Sequence, residues 1–305
     1  MNIMFMGTPD FALVSLETLV SRGYNVTSVV CREDKPKGRG NQMSAPPTKE
    51  FAIAGGINVY QPSSFKDGAF AEVLEAEKPD LIIVVAYGRI LPEYVLNFPK
   101  YGCINLHGSI LPKYRGSAPI QWTIINGDEF AGVSTMYMNA GLDTGDIIDV
   151  YKTPLGHDET AGELFDRLAE KGAELLCETV DKIKNGIATR TPQNEAEATY
   201  APMLSKDMGK LDFSMPAEKI RNLIRGLNPW PSAYTTTNKG VLKVHSAEVR
   251  NENSALAPGA RIYSKDELII QTADGQIVFK EVQLQGKKRM PASDLLRGHD
   301  IEIQV

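Results

Sequence analysis

The feature that most constrains the fold is a series of five short apolar runs separated by helical patterns. Helical periodicity is clearest over residues 10–22 and 66–77, and the apolar runs cover 2–6, 25–30, 57–60, 80–86 and 102–106. Runs of this length are typical of strands buried on both faces, and their alternation with helices is typical of a parallel sheet. The sequence therefore predicts a doubly wound, mostly parallel α/β sheet, with ligands at the carboxyl ends of its strands.

The second half of the chain has a different pattern. Strand-like runs near 132–138 and 146–151 precede a long predicted helix, which begins with a Thr160–Glu163 capping box and ends near Gly186. Residues 187–209 are polar and irregular. After a short helix at 216–226, short strand-like runs separated by Gly, Asn and Asp predict a small β-barrel; they lie at 233–237, 241–249, 260–264, 267–272 and 276–284. We expect a catalytic domain over 1–189, a linker over 190–209 and a barrel domain over 210–305.

Composition narrows the class of protein and its location. The 305 residues carry a net charge of −5, but residues 206–305 hold 15 Lys and Arg against 12 Asp and Glu. A mildly basic second half is compatible with an RNA substrate and equally with ordinary variation of surface charge. Cys31, Cys103 and Cys177 show no Cys-x-x-Cys spacing, and no apolar run approaches the length of a bilayer span. We expect a reduced, cytoplasmic, monomeric protein without a membrane segment.

The candidate chemistry is concentrated between residues 102 and 146. Asn105 and His107 are two residues apart at the end of a predicted strand, so their side chains point to the same side. Asp143 lies in a glycine-containing loop after the next strand. An amide donor, a titratable base and a carboxylate that orients the base are what acyl transfer to an amine requires. The alternatives are a structural histidine and two turn-forming residues, with Asp146 as a weaker substitute for Asp143.

Other kinds of cofactor are disfavoured. The four histidines have no metal-ligand spacing among themselves or with the cysteines, so no metal is expected. The segment after the first strand, Gly7-Thr8-Pro9-Asp10, has one glycine where a dinucleotide site carries G-x-G-x-x-G. A nicotinamide enzyme is therefore disfavoured.

The motifs of the central region resemble the core of the folate-dependent formyltransferases. The resemblance is carried by Asn105, His107, the Ser109-Ile110-Leu111-Pro112 turn and the Leu142–Asp146 loop. Further motifs resemble the members that act on methionyl initiator tRNA: Gly-Thr-Pro-Asp-Phe-Ala at 7–12, Gly-Arg-Gly at 38–40, the run at 198–206 and Asn-Pro-Trp-Pro at 228–231. The resemblance implies 10-formyltetrahydrofolate as cosubstrate, initiator methionyl-tRNA as partner, and an oligonucleotide-binding-type barrel.

The resemblance also implies roles for single residues. Asn105, His107 and Asp143 would be catalytic, and Ser109, Ile110, Leu111 and Pro112 would line the folate pocket. The loop at 32–49 would enter the tRNA acceptor stem, with Arg39 matching a prominent arginine of the family. The expected tRNA-binding residues are Lys35, Lys37 and Arg39 on this loop, and Lys287, Lys288 and Arg289 in the barrel.

Several alternatives remain open from the sequence. The basic cluster at 32–49 would also be explained by an ordinary solvent-exposed loop, and the cluster at 287–289 by an ordinary solvent-exposed surface. A formyltetrahydrofolate hydrolase, a glycinamide ribonucleotide formyltransferase or a sugar-nucleotide formyltransferase would share the core. A noncatalytic RNA-binding protein would use the same scaffold without folate.

Overall fold

Two compact units make up the chain. The computed structural model describes residues 1–37 and 42–304, apart from the side chains of Lys37, Gln42 and Asp67. The first unit comprises Met1–Pro119, Ala131–Thr153 and Phe165–Ala201, and the second comprises Ile120–Phe130, Pro154–Leu164 and Pro202–Val305. The segment expected as a linker, 190–209, therefore contributes residues to both units. The domain boundaries expected from the sequence stay a prediction.

A seven-stranded sheet forms the centre of the first unit. In chain order, the strands up to residue 201 are β1 (Ile3–Gly7), β2 (Val26–Val30), β3 (Lys35–Lys37), β4 (Gln42–Ser44), β5 (Asn58–Tyr60), β6 (Leu81–Val85), β7 (Cys103–His107), β8 (Arg115–Gly116), β9 (Phe130–Tyr137), β10 (Ile147–Pro154) and β11 (Tyr200–Ala201). The large sheet has the order β10-β9-β7-β6-β1-β2-β5, and β3 pairs with β4 and β8 with β11 outside it. Four of its pairings are parallel, and β7 and β9 are antiparallel. The predicted mostly parallel sheet is confirmed.

Burial explains why these segments form central strands. Every residue of β1, β6 and β7 is buried. Continuous aliphatic sequence of this kind is stable in a strand only when both faces of the sheet are covered. The chain runs from β1 to β2 on one side of the sheet and later to β6 on the other, so the carboxyl ends of these strands lie at a topological switch point.

Eight helices occur within the described residues. They are α1 (Asp10–Ser21), α2 (Pro47–Ala54), α3 (Ala71–Glu77), α4 (Glu93–Leu96), α5 (Pro119–Asn126), α6 (Ala161–Lys184), α7 (Ala217–Gly226) and α8 (Ala292–Gly298), with 3₁₀ turns at Lys66–Gly68, Glu195–Glu197 and Lys206–Gly209. The backbone N–H of Thr160 donates to Glu163 Oε2 at 2.9 Å, and that of Glu163 donates to Thr160 Oγ1 at 3.3 Å. This reciprocal pair is the predicted capping box of α6. None of the helices in the described ranges combines the length and apolar character needed to cross a bilayer.

The second unit contains a nearly closed antiparallel barrel. Its strands are β12 (Ala233–Thr237), β13 (Gly240–Arg250), β14 (Arg261–Ile262), β15 (Leu268–Gln271), β16 (Gln276–Leu284), β17 (Met290–Pro291) and β18 (Ile303–Gln304). They follow the order β14-β15-β16-β13-β12-β18, and β17 pairs with β16. Arg261 Nη1 donates to Asp300 Oδ1 and to the carbonyl of Ile301, both at 2.8 Å, which ties β14 to the segment before β18. Ile220 and Ile224 of α7 pack into the barrel core with Leu242 and Phe279.

The segment expected to be a long loop, 32–49, is partly regular, so that expectation was wrong in part. Strands β3 and β4 pair in antiparallel register, with Lys35 opposite Ser44, and α2 begins at Pro47. Two strands of three residues are too short to show periodicity, and in the sequence Pro36, Gly38 and Gly40 favour a turn. The sequence could not distinguish such a pair of strands from an irregular loop.

Candidate active site

Asn105 lies in the middle and His107 at the end of the buried strand β7, where the sheet changes from parallel to antiparallel pairing. Strand β7 pairs in parallel with β6 and antiparallel with β9, and Asn105 lies opposite Val84 on one side and Met136 on the other. Their side chains are two residues apart and therefore share one face of the sheet. Asn105 is 9% exposed and His107 6% exposed. The structure thus brings the predicted amide and imidazole together in a largely desolvated position.

Asp143 reaches both side chains from the loop between β9 and β10. Its Oδ1 accepts from Asn105 Nδ2 at 3.4 Å, and its Oδ2 lies 3.7 Å from His107 Nδ1. The backbone N–H of Gly116 donates to the same Oδ2 at 2.8 Å. One carboxylate therefore lies between the candidate base and the candidate oxyanion donor, and a backbone donor holds it.

The other ring nitrogen of His107 faces a backbone carbonyl, that of Tyr114. His107 Nε2 lies 2.8 Å from the Tyr114 oxygen. A carbonyl oxygen only accepts hydrogen bonds, so Nε2 must carry the proton. In the neutral ring Nδ1 then has the free lone pair, on the side of Asp143. A proton taken up there would lie beside the carboxylate of Asp143.

The turn expected to line the folate pocket is fixed against β9. Ser134 Oγ donates to the Ser109 carbonyl at 2.7 Å and accepts from the Leu111 N–H at 3.1 Å. Ser109 Oγ donates to the Lys113 carbonyl at 2.6 Å, and the peptide bond between Leu111 and Pro112 is cis. The turn is therefore held by hydrogen bonds to Ser134 and to Lys113, which leave fewer of its backbone groups for a ligand. A folate-lining role for Ser109, Ile110, Leu111 and Pro112 stays a prediction.

A buried arginine and a glutamine, which the sequence did not single out, support the Asp143 loop. Arg115 is fully buried and donates to Gln193 Oε1 and to both carboxylate oxygens of Glu195 at 2.8–3.0 Å. The Arg115 guanidinium holds the pKa of the Glu195 carboxyl below its usual value. Gln193 Nε2 in turn donates to the carbonyls of Asp143 and Gly145. These partners are 48 to 80 residues apart in sequence, so no local pattern identifies them.

The residues expected to bind tRNA lie in the two different units. Lys35 belongs to β3, the backbone of Lys37 pairs with that of Gln42, and Arg39 lies outside the described residues. Lys287 and Lys288 are exposed in the turn between β16 and β17. Arg289, beside them, forms an ion pair with Glu281. Among the described residues, Lys287 and Lys288 form no ion pair, and the tRNA-binding role of all six residues stays a prediction.

No group of three or more His, Cys, Asp and Glu side chains within the described ranges is arranged to hold a metal ion. A neutral imidazole with a fixed tautomer, a carboxylate beside it and a primary amide are suited to proton transfer and to stabilising a tetrahedral oxyanion.

Comparison with known proteins defines the class. The chain matches a family model described as formyl transferase over residues 1–180, and a second, described as the formyl transferase C-terminal domain, over residues 203–300. The matched segments contain the doubly wound sheet, the residues Asn105, His107 and Asp143, and the barrel strands β12 to β17. The chain is thus a formyl transferase with its C-terminal domain.

Full-length relatives give the particular family. A methionyl-tRNA formyltransferase of Agathobacter rectalis is 50% identical over 99% of this chain and 98% of its own length. That of Clostridioides difficile is 48% identical with the same coverage. The chain belongs to the methionyl-tRNA formyltransferase family. An N-formyltransferase from Helicobacter canadensis, solved in complex with folinic acid and dTDP-3-aminofucose, has a similar fold, with a TM-score of 0.70 at 21% identity over 91% of this chain and 98% of that one.

Proposed function

We propose that the protein transfers the formyl group of 10-formyltetrahydrofolate to the α-amino group of methionine on initiator tRNA. The observation that carries the proposal is the cluster in which Asp143 contacts both Asn105 and His107. The two full-length relatives named methionyl-tRNA formyltransferase support the choice of acceptor. The product, N-formylmethionyl-tRNA, would serve translation initiation, so we place the enzyme in the cytoplasm.

In the proposed mechanism His107 acts as the general base through Nδ1. The α-amino group titrates near neutrality and must lose a proton as it attacks, so an imidazole is well matched to it. The nitrogen of the α-amino group forms a bond to the formyl carbon while His107 Nδ1 takes the proton from that nitrogen. The Tyr114 carbonyl holds the Nε2 proton in place, and Asp143 stabilises the positive charge that develops on the ring.

Asn105 is assigned to the oxyanion of the tetrahedral intermediate. Its amide nitrogen carries two hydrogens, and one of them is directed to Asp143. The second remains for the oxygen of the formyl group, where a placed donor contributes most once negative charge develops. When the intermediate collapses, the bond to the folate nitrogen breaks, and that nitrogen receives the proton from His107.

Both substrates would be bound at once, since no protein group becomes acylated in this scheme. The turn from Ser109 to Pro112 is proposed to line the folate pocket. The basic residues of the 32–49 segment and of the β16–β17 turn are proposed to contact tRNA phosphates. All three catalytic residues come from one chain, so we propose a monomer as the active form.

A formylation assay with two tRNA acceptors and one sample without tRNA tests this function. The purified protein is incubated with 10-formyltetrahydrofolate and charged initiator tRNA, charged elongator methionyl-tRNA or no tRNA, and formyl-methionine is measured. Formylation of the initiator well above the elongator is the expected result. Equal formylation of both would contradict the assigned selectivity, and formylation of neither would remove the proposed function.

A further inference from the structure

Asp143 has an unusual backbone conformation for a residue that carries a functional side chain. Its φ angle is 52°, in the left-handed region that a residue other than glycine rarely adopts. A residue with a Cβ stays in this region only when its surroundings fix it there. The direction of the carboxylate follows from that backbone conformation. The groups that hold the backbone of Asp143 therefore also set its distance to His107.

Gln193 is the side chain that holds this backbone. Its Nε2 donates to the Asp143 carbonyl at 2.8 Å and to the Gly145 carbonyl at 2.7 Å. Its Oε1 accepts from Arg115 Nε at 3.0 Å and Nη2 at 2.8 Å. Carbonyls only accept and a guanidinium only donates, so the chemistry of the partners fixes the amide orientation. A rotated amide would place its N–H groups against those of Arg115.

Arg115 connects this amide to the rest of the site. Its side chain is fully buried, and Nη1 and Nη2 each donate to one carboxylate oxygen of Glu195. The next residue, Gly116, donates its N–H to Asp143 Oδ2, and the preceding residue, Tyr114, offers its carbonyl to His107. Three consecutive residues thus fix the Asp143 carboxylate, the His107 tautomer and, through Gln193, the Asp143 backbone.

We propose that Gln193 and Arg115 are positioning residues for the formyl transfer. Arg115 orients the Gln193 amide, and Gln193 holds Asp143 in the conformation that directs its carboxylate to His107 and Asn105. The inference rests on the proposed function, because its kinetic effect is expected in that reaction. Both side chains act through Asp143.

The variant Gln193→Glu isolates the contact with the loop. A glutamate keeps acceptors for Arg115, but it offers no N–H to the two carbonyls and places a carboxylate oxygen against them. The matched control is Asn194→Asp, which makes the same amide-to-carboxylate change at an exposed neighbouring residue. We normalise kcat to the concentration of folate-binding sites. We expect this kcat to be roughly tenfold or more lower in Gln193→Glu than in the wild type, and the KM for 10-formyltetrahydrofolate to stay within about threefold of the wild-type value. Asn194→Asp should stay within about twofold of the wild type in both constants.

A double-variant cycle separates positioning from general structural damage. If Gln193 acts through Asp143, the double variant Gln193→Glu/Asp143→Asn should have a kcat within about threefold of Asp143→Asn alone. Losses that multiply would show an effect independent of Asp143 and would overturn the proposal.

Hydrogen exchange of the peptide covering residues 139–146 gives a readout that needs no activity. Exchange should be faster in Gln193→Glu than in the wild type and unchanged in Asn194→Asp. Unchanged exchange in Gln193→Glu would overturn the inference. Failure of the wild type to formylate methionyl-tRNA would instead overturn the proposed function, and the exchange comparison would still decide the role of Gln193.

Discussion

At the scale of single residues, the contact between His107 and the Tyr114 carbonyl decides which nitrogen can accept a proton. With Nε2 protonated, Nδ1 is the basic atom, and it lies 3.7 Å from the Asp143 carboxylate. The carboxylate then stabilises the protonated ring instead of selecting the neutral tautomer. Asp143 therefore differs from the acid of a serine-protease triad, which bonds the N–H of the neutral ring.

Removing the His107 imidazole should abolish most of the turnover. We expect kcat of His107→Ala to fall by roughly a hundredfold to ten-thousandfold, because a positioned general base contributes about that much. Steady-state formylation at saturating substrates measures it. The control is His157→Ala, whose side chain is 78% exposed in the second unit. Near-normal turnover of His107→Ala would contradict the assignment of the base.

The sequence predicts that Asn105, His107 and Asp143 lie together, and they do, but it does not reveal the groups that hold them. Asn105, His107 and Asp143 stand in short motifs whose residue types match a known chemistry. Tyr114 and Gly116 contribute only backbone atoms, which any residue type has. Gln193 lies in a polar segment that has the composition of a linker, and its partner Arg115 is 78 residues away. Contacts of this kind arise from tertiary structure and leave no local pattern.

At the scale of elements, the loop after β9 is held close to the strand itself. A Cβ at Gly145 would lie 1.7 Å from the Tyr137 carbonyl oxygen, which belongs to the backbone and cannot rotate away. The backbone N–H of Tyr137 also donates to the Asp146 carbonyl at 2.9 Å. The lack of a side chain at Gly145 therefore allows the loop to place Asp143.

Substituting Gly145 with alanine should displace the loop. We expect kcat of Gly145→Ala to fall on the order of a hundredfold, since a shift of about 1 Å at a catalytic group has an effect of that size. Gly298→Ala is the control, because a Cβ there meets no atom within 4 Å. Rapid-quench formylation assays compare the two. Wild-type turnover in Gly145→Ala would show that the loop tolerates displacement.

Helix α7 should contribute to the stability of the second unit through its apolar face. Ile224 is 1% exposed and packs into the barrel core. Ile224→Ala should lower the free energy of unfolding of that unit by about 2–5 kcal/mol, because it removes buried methyl groups and leaves a cavity. Leu256→Ala, at a position 48% exposed, should change it by less than about 0.5 kcal/mol. Urea denaturation monitored through tryptophan fluorescence measures both, and equal effects would contradict the packing described for α7.

The sheet, the long helix and most barrel strands were predictable because each has a clear periodicity or a continuous apolar run. Strand β16 occupies Gln276–Leu284, the range that the sequence predicts. Helix α8 and the short strands β8, β11, β17 and β18 were not predicted. Strands of two residues are defined by their partners, and a seven-residue helix is too short for its pattern to stand out.

At the scale of the whole molecule, a chain with a net charge of −5 is proposed to bind a polyanion. This requires local positive charge, and Lys287 and Lys288 are exposed in the barrel unit, whereas Arg289 is paired with Glu281. The two lysines are therefore better candidates for phosphate contacts than the arginine. Binding that rests on such contacts weakens as the salt concentration rises, because the release of counterions from the RNA then gains less entropy.

Removing both lysines should weaken tRNA binding without affecting folate. For Lys287→Ala/Lys288→Ala we expect a lower tRNA affinity and a salt dependence reduced by about one unit of slope per lost phosphate contact. Filter binding over a series of salt concentrations measures both quantities. Lys265→Ala, an exposed lysine of the same unit, is the control. An equal loss of folate affinity would indicate damage to the fold and contradict the assignment.

The central claim is that the formyl group passes to an amine at the Asn105, His107 and Asp143 site. The most direct measurement follows consumed 10-formyltetrahydrofolate, formyl-methionyl-tRNA and formate in one reaction, for the wild type and for His107→Ala. One formyl-methionyl-tRNA for each folate consumed, at a rate that depends on His107, is the result expected. Formate as the main product, or a transfer rate unchanged by His107→Ala, would contradict the account.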